Sequence, residues 1–470
     1  MIQINPNFIQ YIANDLPAHL SMEDFIHYSS QPLRTSIRVN TLKISSADFI
    51  ELMSAKGWQF SPIPWCQDGF WISIPSDIQL GNVVEHLQGL FYIQEASSML
   101  PPTALFDHGL IPELVLDVAS APGSKTTQIA ALMNNNGLLI ANEYSSSRVK
   151  VLHANVQRMG VTNCALTHFD GRVFGEYLYE SFDAILLDAP CGGEGTVRKD
   201  PDALKSWDIA DVEAIATTQQ ALIESAFVAL KPGGTLVYST CTLNRRENQD
   251  ICLHLINKYA DLVEVVPLNN LFEDANKACT EEGFLHVWPQ IYDSEGFFVA
   301  KFKKLGSCER QAAEPRKQKN FPFNFASRKQ VDAINDYFSQ QLGLNLPAGD
   351  IMTRDEEYWL FPKPFAVLTG KMRFQRIGLK LADTIKKGFK VRYEAIMAFG
   401  QSSTKTIELT PAQAQQYLMG RDISLTEPTQ AQGEIILCLH GAPLGLAKHL
   451  GHRLKNSLPR ELVHDNAISI

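Results

Sequence analysis

The stretch "LDVASAPGSKTTQIA", from Leu116 to Ala130, decides the fold. An apolar run ends in an acid, Asp117. A turn of small residues follows, and then a helical pattern begins. A phosphate loop would need G-x-x-x-x-G-K-[ST]. Here Lys125 follows Ser124, and no glycine stands five positions before Ser124. The dinucleotide pattern G-x-G-x-x-G is absent too. The placement is still that of a ligand turn: strand, tight turn and helix N-terminus at the carboxyl edge of a sheet. Ala119, Ser120, Ala121, Pro122 and Gly123 let a ligand approach the backbone, and Pro122 stiffens the turn. Asp117 supplies a charge at its mouth. That suits a ligand with an ammonium group and no phosphates, and S-adenosylmethionine is such a ligand.

Outward from this turn, five apolar runs alternate with helical stretches. They are "LVLDVA" (Leu114 to Ala119), "GLLIANE" (Gly137 to Glu143), "CALTHFD" (Cys164 to Asp170), "FDAILLDAP" (Phe182 to Pro190) and "GGTLVYSTC" (Gly233 to Cys241). Continuous apolar strands separated by helices imply a parallel sheet covered on both faces, the doubly wound α/β pattern. "ALIESAFVALKPGG" (Ala221 to Gly234) reads as a crossover helix closed by Pro-Gly-Gly. Four units are expected: residues 1–95, mixed α+β; 96–305, the doubly wound core; 321–385, a small α+β unit; and 386–470, rich in short strands. Lys303 to Asn320 is polar, contains Pro315 and reads as a linker.

The 470 residues are 45% hydrophobic and 20% charged, so a large core can be buried. No apolar run approaches the ~20 residues needed to span a bilayer. The start, "MIQINPNFIQYIAND", has no basic stretch followed by an apolar one, so a cytoplasmic protein without a membrane partner is expected. The eight cysteines form no C-x-x-C pair, which argues against zinc and against a disulfide framework. The net charge of −9 counts against a nucleic-acid partner when averaged. The average hides a basic stripe: between Lys371 and Arg392, eight Lys or Arg stand against one Asp, a local balance of +7. Such a stripe is either a solvated helix face or a phosphate-binding footprint.

Several acids and two cysteines fall at the carboxyl ends of the expected strands. Glu143 ends the second run, twenty residues after Gly123, a spacing at which an acid accepts ribose hydroxyls. Asp170 ends the third and is placed to accept an adenine amino group. Each alone reads as a cap or a surface acid, but with Asp117 they make three acids on one edge. Asp188, Pro190 and Cys191 follow the fourth run, and Cys241 the fifth. Neighbouring parallel strands lie ~4.8 Å apart, so the two thiols are expected to face one pocket. Carbon 5 of cytosine is a poor nucleophile. A thiolate added to carbon 6 makes carbon 5 able to attack a methyl group. An acid near ring nitrogen 3, here Asp188 if protonated, stabilises that adduct, and a second thiol assists its release.

"DVASAPGSKTTQ", "DAPCGGEGT", "YSTCTLNRREN", "YIQEASSMLPP" (Tyr92 to Pro102) and "RVNTLK" resemble the Sun-type RNA 5-methylcytosine methyltransferases over residues from about 30 to 304. The last third, ending in "HGAPLGLAKHLGHRLKNSLPR" (His440 to Arg460), is similar to the PUA RNA-binding module. The resemblance implies a Rossmann-like methyltransferase core that uses S-adenosylmethionine, between an N-terminal RNA-binding extension and a C-terminal PUA-like domain. It implies that Cys241 is the nucleophile and that Cys191 serves product release. It puts Ala119, Ser120, Ala121, Pro122, Gly123, Ser124, Lys125, Glu143, Asp170 and Asp188 around the cofactor. The family often has D-x-C-A-A-P-G-G-K; here Ala119 replaces the cysteine, which is not mechanistic, and Ser124 replaces a glycine with another small residue.

Arg245, Arg246 and Lys199 are the candidates for activating Cys241. Arg198, Lys199 and Arg245 either hold RNA phosphates or face solvent. Arg34, Arg38 and Lys43, with the basic C-terminal segment, are expected to hold folded RNA by shape and phosphate, the target base leaving its stack. The resemblance implies one cytosine in the decoding region of 16S ribosomal RNA; a binding module far from the active site suggests a large structured substrate, the assembled small subunit, and a monomer without metal is expected. The alternatives are the same chemistry on transfer RNA, and a non-catalytic RNA-binding assembly factor. An NAD-dependent oxidoreductase is disfavoured by the missing G-x-G-x-x-G.

Overall fold

The computed structural model describes residues 4–427, 430–464 and 469–470. The first unit carries β1 (Ser36–Val39), β2 (Gln59–Ile63), β3 (Cys66–Ser73) and β4 (Phe91–Ile93) in an antiparallel sheet of order β2-β3-β1-β4. Its basic residues, expected to hold RNA, bond groups of the protein itself. Arg38 is buried; its Nε donates to Gln94 Oε1 at 2.9 Å and its Nη2 to Thr127 Oγ1 at 2.8 Å. Lys43 Nζ donates to the carbonyls of Gln88 at 2.6 Å and Arg158 at 2.8 Å, and burial lowers its pKa to about 7. Arg34 lies over the Trp71 ring at 3.7 Å and pairs with Asp293 at 3.0 Å. The seam with the next unit presents oxygens that water cannot reach. Long cationic side chains supply the donors, so their charge turns inward.

The second unit holds the expected parallel strands. They are β5 (Leu114–Asp117), β6 (Leu138–Asn142), β7 (Cys164–Thr167), β8 (Phe182–Asp188) and β9 (Leu230–Thr240), in the order β9-β8-β5-β6-β7. Each stops one to three residues before the end of its apolar run, which leaves Asp117 and Asp188 at strand ends and Glu143, Asp170, Cys191 and Cys241 on the loops beyond. Leu114 and Leu116 join one core and Val115 the other, so helices cover both faces. Beyond β9, β10 (Val263–Val265), β11 (Leu285–Val287) and β12 (Phe297–Lys304) add antiparallel strands. The crossover helix Ile209–Ala229 starts at Asp208, whose side chain accepts from the Ala210 N–H at 2.7 Å. Pro232-Gly233-Gly234 does not close this helix. It bulges within β9, where Phe182 pairs with Leu230 but Ala184 with Thr235.

The expected linker begins later than Lys303. Lys304 still belongs to β12, its side chain buried and paired with Glu180 at 3.0 Å, and Cys308 is buried as well. The third unit has β13 (Asn324–Phe325), β14 (Asp350–Arg354), β15 (Glu357–Phe361), β16 (Arg376–Ile377), β17 (Leu379–Thr384) and β18 (Phe389–Val391). Five of these form the sheet β13-β14-β15-β17-β18, while β16 leaves it to pair antiparallel with β7. β17 and β18 pair as a hairpin across positions 385 and 386, where the sequence divides the third unit from the fourth. The basic stripe is not one face. Lys380 pairs with Glu357 and Asp383, Arg392 with Asp383, and Arg376 with Glu394.

The fourth unit is the sheet of β19 (Thr406–Glu408), β20 (Ile423–Ser424), β21 (Gly433–Leu439), β22 (Ala442–His449) and β23 (Arg453–Asn456), in the order β19-β21-β22-β23-β20. It packs on the first unit, where Gln88 Nε2 donates to the carbonyls of Leu439 at 3.0 Å and Ala442 at 2.9 Å. Among the described residues no helix is long and apolar enough to cross a membrane.

Arg38 is therefore a structural cation. Arg38→Ala strands Gln94 and Thr127 in the seam and is expected to lower stability by about 2–4 kcal/mol in chemical denaturation. A variant of unchanged stability with weakened RNA binding would return Arg38 to the RNA.

Candidate active site

The turn of Ala119 to Gly123 lies between β5 and the helix Ser124–Leu132. Gly123 caps that helix with φ +108°, a left-handed conformation that disfavours side chains, and a Cβ there would meet Leu152 at 3.1 Å. Asp117 is not an open charge at the mouth. It is fully buried and accepts from Thr126 Oγ1 at 2.7 Å. Burial raises its pKa to about 7. Its Oδ1 has no hydrogen-bond partner among the described residues. Glu143 is also buried; it accepts from the N–H of Ser145 at 2.8 Å and of Ala121 at 3.3 Å. Asp170 stands further out. Its carboxylate is gripped by Arg172 Nε at 2.9 Å and Nη2 at 2.6 Å, which holds its pKa below the ordinary value.

Across the turn, Lys125 Nζ pairs with Asp188 Oδ2 at 2.8 Å, and Ser239 Oγ donates to Asp188 Oδ1 at 2.7 Å. Burial alone would lower the Lys125 pKa. Asp188 first, then Cys241 and Asp117, outweigh burial and hold it raised. Asp188 thus stands in an ion pair with Lys125. This differs from the expected free acid, because the helix start after Gly123 aims Lys125 at the end of β8.

The two expected thiols meet: Cys191 Sγ lies 3.2 Å from Cys241 Sγ. The hydrogen bond to Cys241, then burial, then the charges of Glu247 and Asp188 push the Cys191 thiol well above its usual range. Neither arginine proposed to activate Cys241 is near it in function. Arg245 pairs with Asp250 at 3.3 Å and Glu282 at 3.3 Å, and Arg246 with Glu213 at 2.9 Å. Lys125 is the cation whose own pKa Cys241 helps to raise. Arg198 neither holds phosphate nor faces solvent. Its side chain is 1% exposed and pairs with Asp293 at 2.8 Å. Lys199 is exposed.

Two acids in these motifs went unread in the sequence. Glu194 Oε2 accepts from the N–H of Leu243 at 3.0 Å and of Asn244 at 2.8 Å, while its Oε1 accepts from Trp207 Nε1 at 2.7 Å. Glu247 Oε2 accepts from the Gly192 N–H at 2.9 Å and Gln219 Nε2 at 2.9 Å, and its Oε1 from Asn244 Nδ2 at 2.7 Å. Each carboxylate thus braces the other cysteine's loop. The available signal was an acid inside each of two cysteine-bearing motifs rich in Gly and Asn. Gly195 completes the brace: a Cβ there would stand 2.2 Å from the Gly296 carbonyl.

The model of the 16S rRNA methyltransferase RsmB/F family matches residues 111–303. Models of the RsmF N-terminal domain, the pre-PUA domain of ribosomal RNA small subunit methyltransferase F and the methyltransferase RsmF PUA domain match residues 4–96, 323–399 and 404–464. The ribosomal RNA small subunit methyltransferase F of Shewanella oneidensis is 67% identical over 468 residues, covering 100% of this chain and 99% of its own. The chain belongs to this methyltransferase family. The Shewanella halifaxensis member is 66% identical over 475 residues, covering 99% of each chain. A methyltransferase homologue from Pyrococcus horikoshii, 33% identical, superposes with a TM-score of 0.53 over 64% of this chain and 100% of its own. NSun6 from Pyrococcus horikoshii, solved with SFG, is 23% identical and shares the fold at a TM-score of 0.56, over 64% of this chain and 99% of its own. The family's domain models part between residues 399 and 404, after the β17–β18 hairpin is complete.

Beside this family's motif acids stands a second carboxyl pair, Glu95 and Glu295. The Glu295 N–H donates to Glu95 Oε1 at 3.2 Å. Burial, then Glu95, raise the Glu295 pKa from 4.5 to about 8, against the pull of Lys199, Lys125 and Arg198. The folded chain therefore keeps a proton that the unfolded chain releases above 4.5, and this stabilisation fades as pH rises through about 8. Glu295→Gln stays neutral throughout. Its melting temperature relative to the wild type is expected to climb between pH 6 and pH 9; a difference independent of pH would refute the assignment.

Proposed function

We propose that this chain methylates carbon 5 of one cytosine of 16S ribosomal RNA, in the decoding region, through a covalent bond from Cys241 to carbon 6. The contact of 3.2 Å between Cys191 and Cys241, beside the Lys125–Asp188 pair, carries this reading. The high identity to ribosomal RNA small subunit methyltransferases over the whole chain supports the substrate. We take the working form to be a cytoplasmic monomer acting on the assembled small subunit, with the PUA unit as one RNA contact.

S-adenosylmethionine, when bound, supplies an electrophilic methyl group. The residues fit it: the unpartnered Asp117 Oδ1 suits an ammonium group, Glu143 suits ribose hydroxyls and Asp170 an adenine amino group. The small residues Ala119 to Ser124 leave the backbone open beside them.

Half-exposed Cys241 gives its thiol proton to solvent, its sulfur adds to carbon 6, and the electron pair of the 5,6 double bond moves into the ring. The Lys125 ammonium, held by Asp188, stabilises the charge that develops there. Carbon 5 then takes the methyl group. Loss of the carbon 5 proton to a base returns an electron pair to the ring, and the carbon–sulfur bond to Cys241 breaks. Cys191 is suited to be that base only after the adduct forms. Its proton is held first of all by the hydrogen bond to Cys241. Once Cys241 sulfur is bonded to carbon 6 that hold is removed, the Cys191 proton passes to solvent, and the thiolate left behind takes the carbon 5 proton.

Cys241→Ser is expected to abolish transfer of tritium from labelled S-adenosylmethionine to small subunits while RNA still binds; retained turnover would end the assignment. Cys191→Ala is expected to accumulate a protein–RNA adduct, seen as a slow band on denaturing gels. Its absence with RNA and S-adenosylmethionine present would remove Cys191 from release. Label confined to transfer RNA would keep the chemistry and overturn the substrate.

A further inference from the structure

The third unit contains a groove of about 390 Å³ that the methyl-transfer chemistry does not use. Ligand pockets commonly measure roughly 300–1,000 Å³. One wall is the segment from Gln318 to Phe323, the other the segment from Gly370 to Ile377, and Arg354 lies between them. The walls are tied where the Gln318 N–H donates to the Gly370 carbonyl at 2.6 Å. Phe321, Phe323 and Phe374 are half-buried, leaving ring surface toward the groove. Arg354 stands over the Phe323 ring at 4.9 Å.

The charge of the groove is one-sided. Arg354 is balanced by Glu357 at 2.7 Å, and Arg376 by Glu394. Arg373 lines the groove, is exposed and has no carboxylate partner among the described residues, and the same holds for Lys317 and Lys319 beside it. The side-chain amides of Asn320 and Gln375 add donors and acceptors.

Its position points to the active-site edge. Arg376 pairs with Leu166 and Ile377 with Ala165, antiparallel, and the Gln375 N–H donates to the Leu166 carbonyl at 2.8 Å. Residues 371–375 therefore run on past the carboxyl end of β7, the edge that carries Asp170, Asp188 and both thiols.

We propose that this groove binds an unpaired stretch of RNA, one base lying against the phenyl rings and its phosphate meeting Arg373. Every base offers a π-face to such rings, and unpaired cations beside them suit a polyanion. Paired RNA hides its bases in the stack, so the groove selects single-stranded nucleotides. The inference deepens the RNA reading above, and it is tested by binding alone.

The probe is a fluorescein-labelled single-stranded RNA of mixed sequence, titrated against the full chain, with the same RNA as a duplex for comparison. Arg373→Glu and Phe374→Ala are each expected to weaken single-strand binding about tenfold. Lys329→Glu, exposed on the helix Arg328–Leu342, is expected to stay within about twofold. Arg373→Glu changes an exposed side chain and so keeps the test valid if Phe374→Ala misfolds. Unchanged single-strand affinity in Arg373→Glu would overturn the proposal and leave the groove to a protein. If the groove binds RNA but no methyl group is ever transferred, the activity reading fails and this one stands.

Discussion

Two buried carboxylates set the geometry on which the site depends. Cys191 and Cys241 sit on separate loops past the ends of β8 and β9, and strand pairing alone brings such backbones only to ~4.8 Å spacing in the sheet. Beyond the strand ends the ladder no longer holds them. Glu194, from the first loop, accepts two N–H groups of the second. Glu247, from the second, accepts an N–H of the first. Burying two carboxylates is costly unless each lone pair is used. Trp207, Gln219 and Asn244 use them, and the result is a brace that no apolar pair could supply, because apolar contacts do not fix direction.

The same logic runs through the seam of the first and second units. The helix Ser124–Leu132 starts at the cofactor turn, so anything that shifts it shifts Lys125. Arg38 donates to Thr127 on this helix and to Gln94 on the other side, and Gln94 Nε2 donates to Gln128 Oε1 at 3.1 Å. The first unit is thus a backing plate for the helix that carries Lys125. Its cations are spent there, which explains why an extension with basic residues presents few of them outward.

The parallel strands were legible because each is a short apolar run ending in a polar residue. Burial on both faces enforces that pattern whatever the rest of the chain does. The acids and cysteines were legible for the same reason, since a strand end fixes their edge. What the sequence could not give was partners. Arg198 reads like any loop cation until Asp293 is placed beside it by chain segments far apart in sequence. Glu194 and Glu247 read as ordinary acids for the same cause. The boundary near 385 failed differently: Lys386-Lys387-Gly388 has the composition of a linker, but Gly388, with φ +90°, turns a hairpin in which the Ile385 N–H bonds the Gly388 carbonyl at 3.1 Å. Turns and linkers draw on the same polar residues, and only strand pairing tells them apart.

An acidic chain that handles RNA must separate its charge in space. In the first unit the cations are paired inward. In the third, Arg373, Lys386 and Lys387 are exposed without carboxylate partners among the described residues. The positive surface and the thiols therefore belong to different units, and a rigid connection has to set their distance. β16 provides it, because it is a strand of the methyltransferase sheet built from the third unit's chain. In the order β9-β8-β5-β6-β7-β16, five strand steps separate β16 from β9, roughly 24 Å at ~4.8 Å per step. A sheet stretches little along its hydrogen-bond direction. The distance from these exposed cations to Cys241 is thus set by backbone pairing and not by a flexible linker.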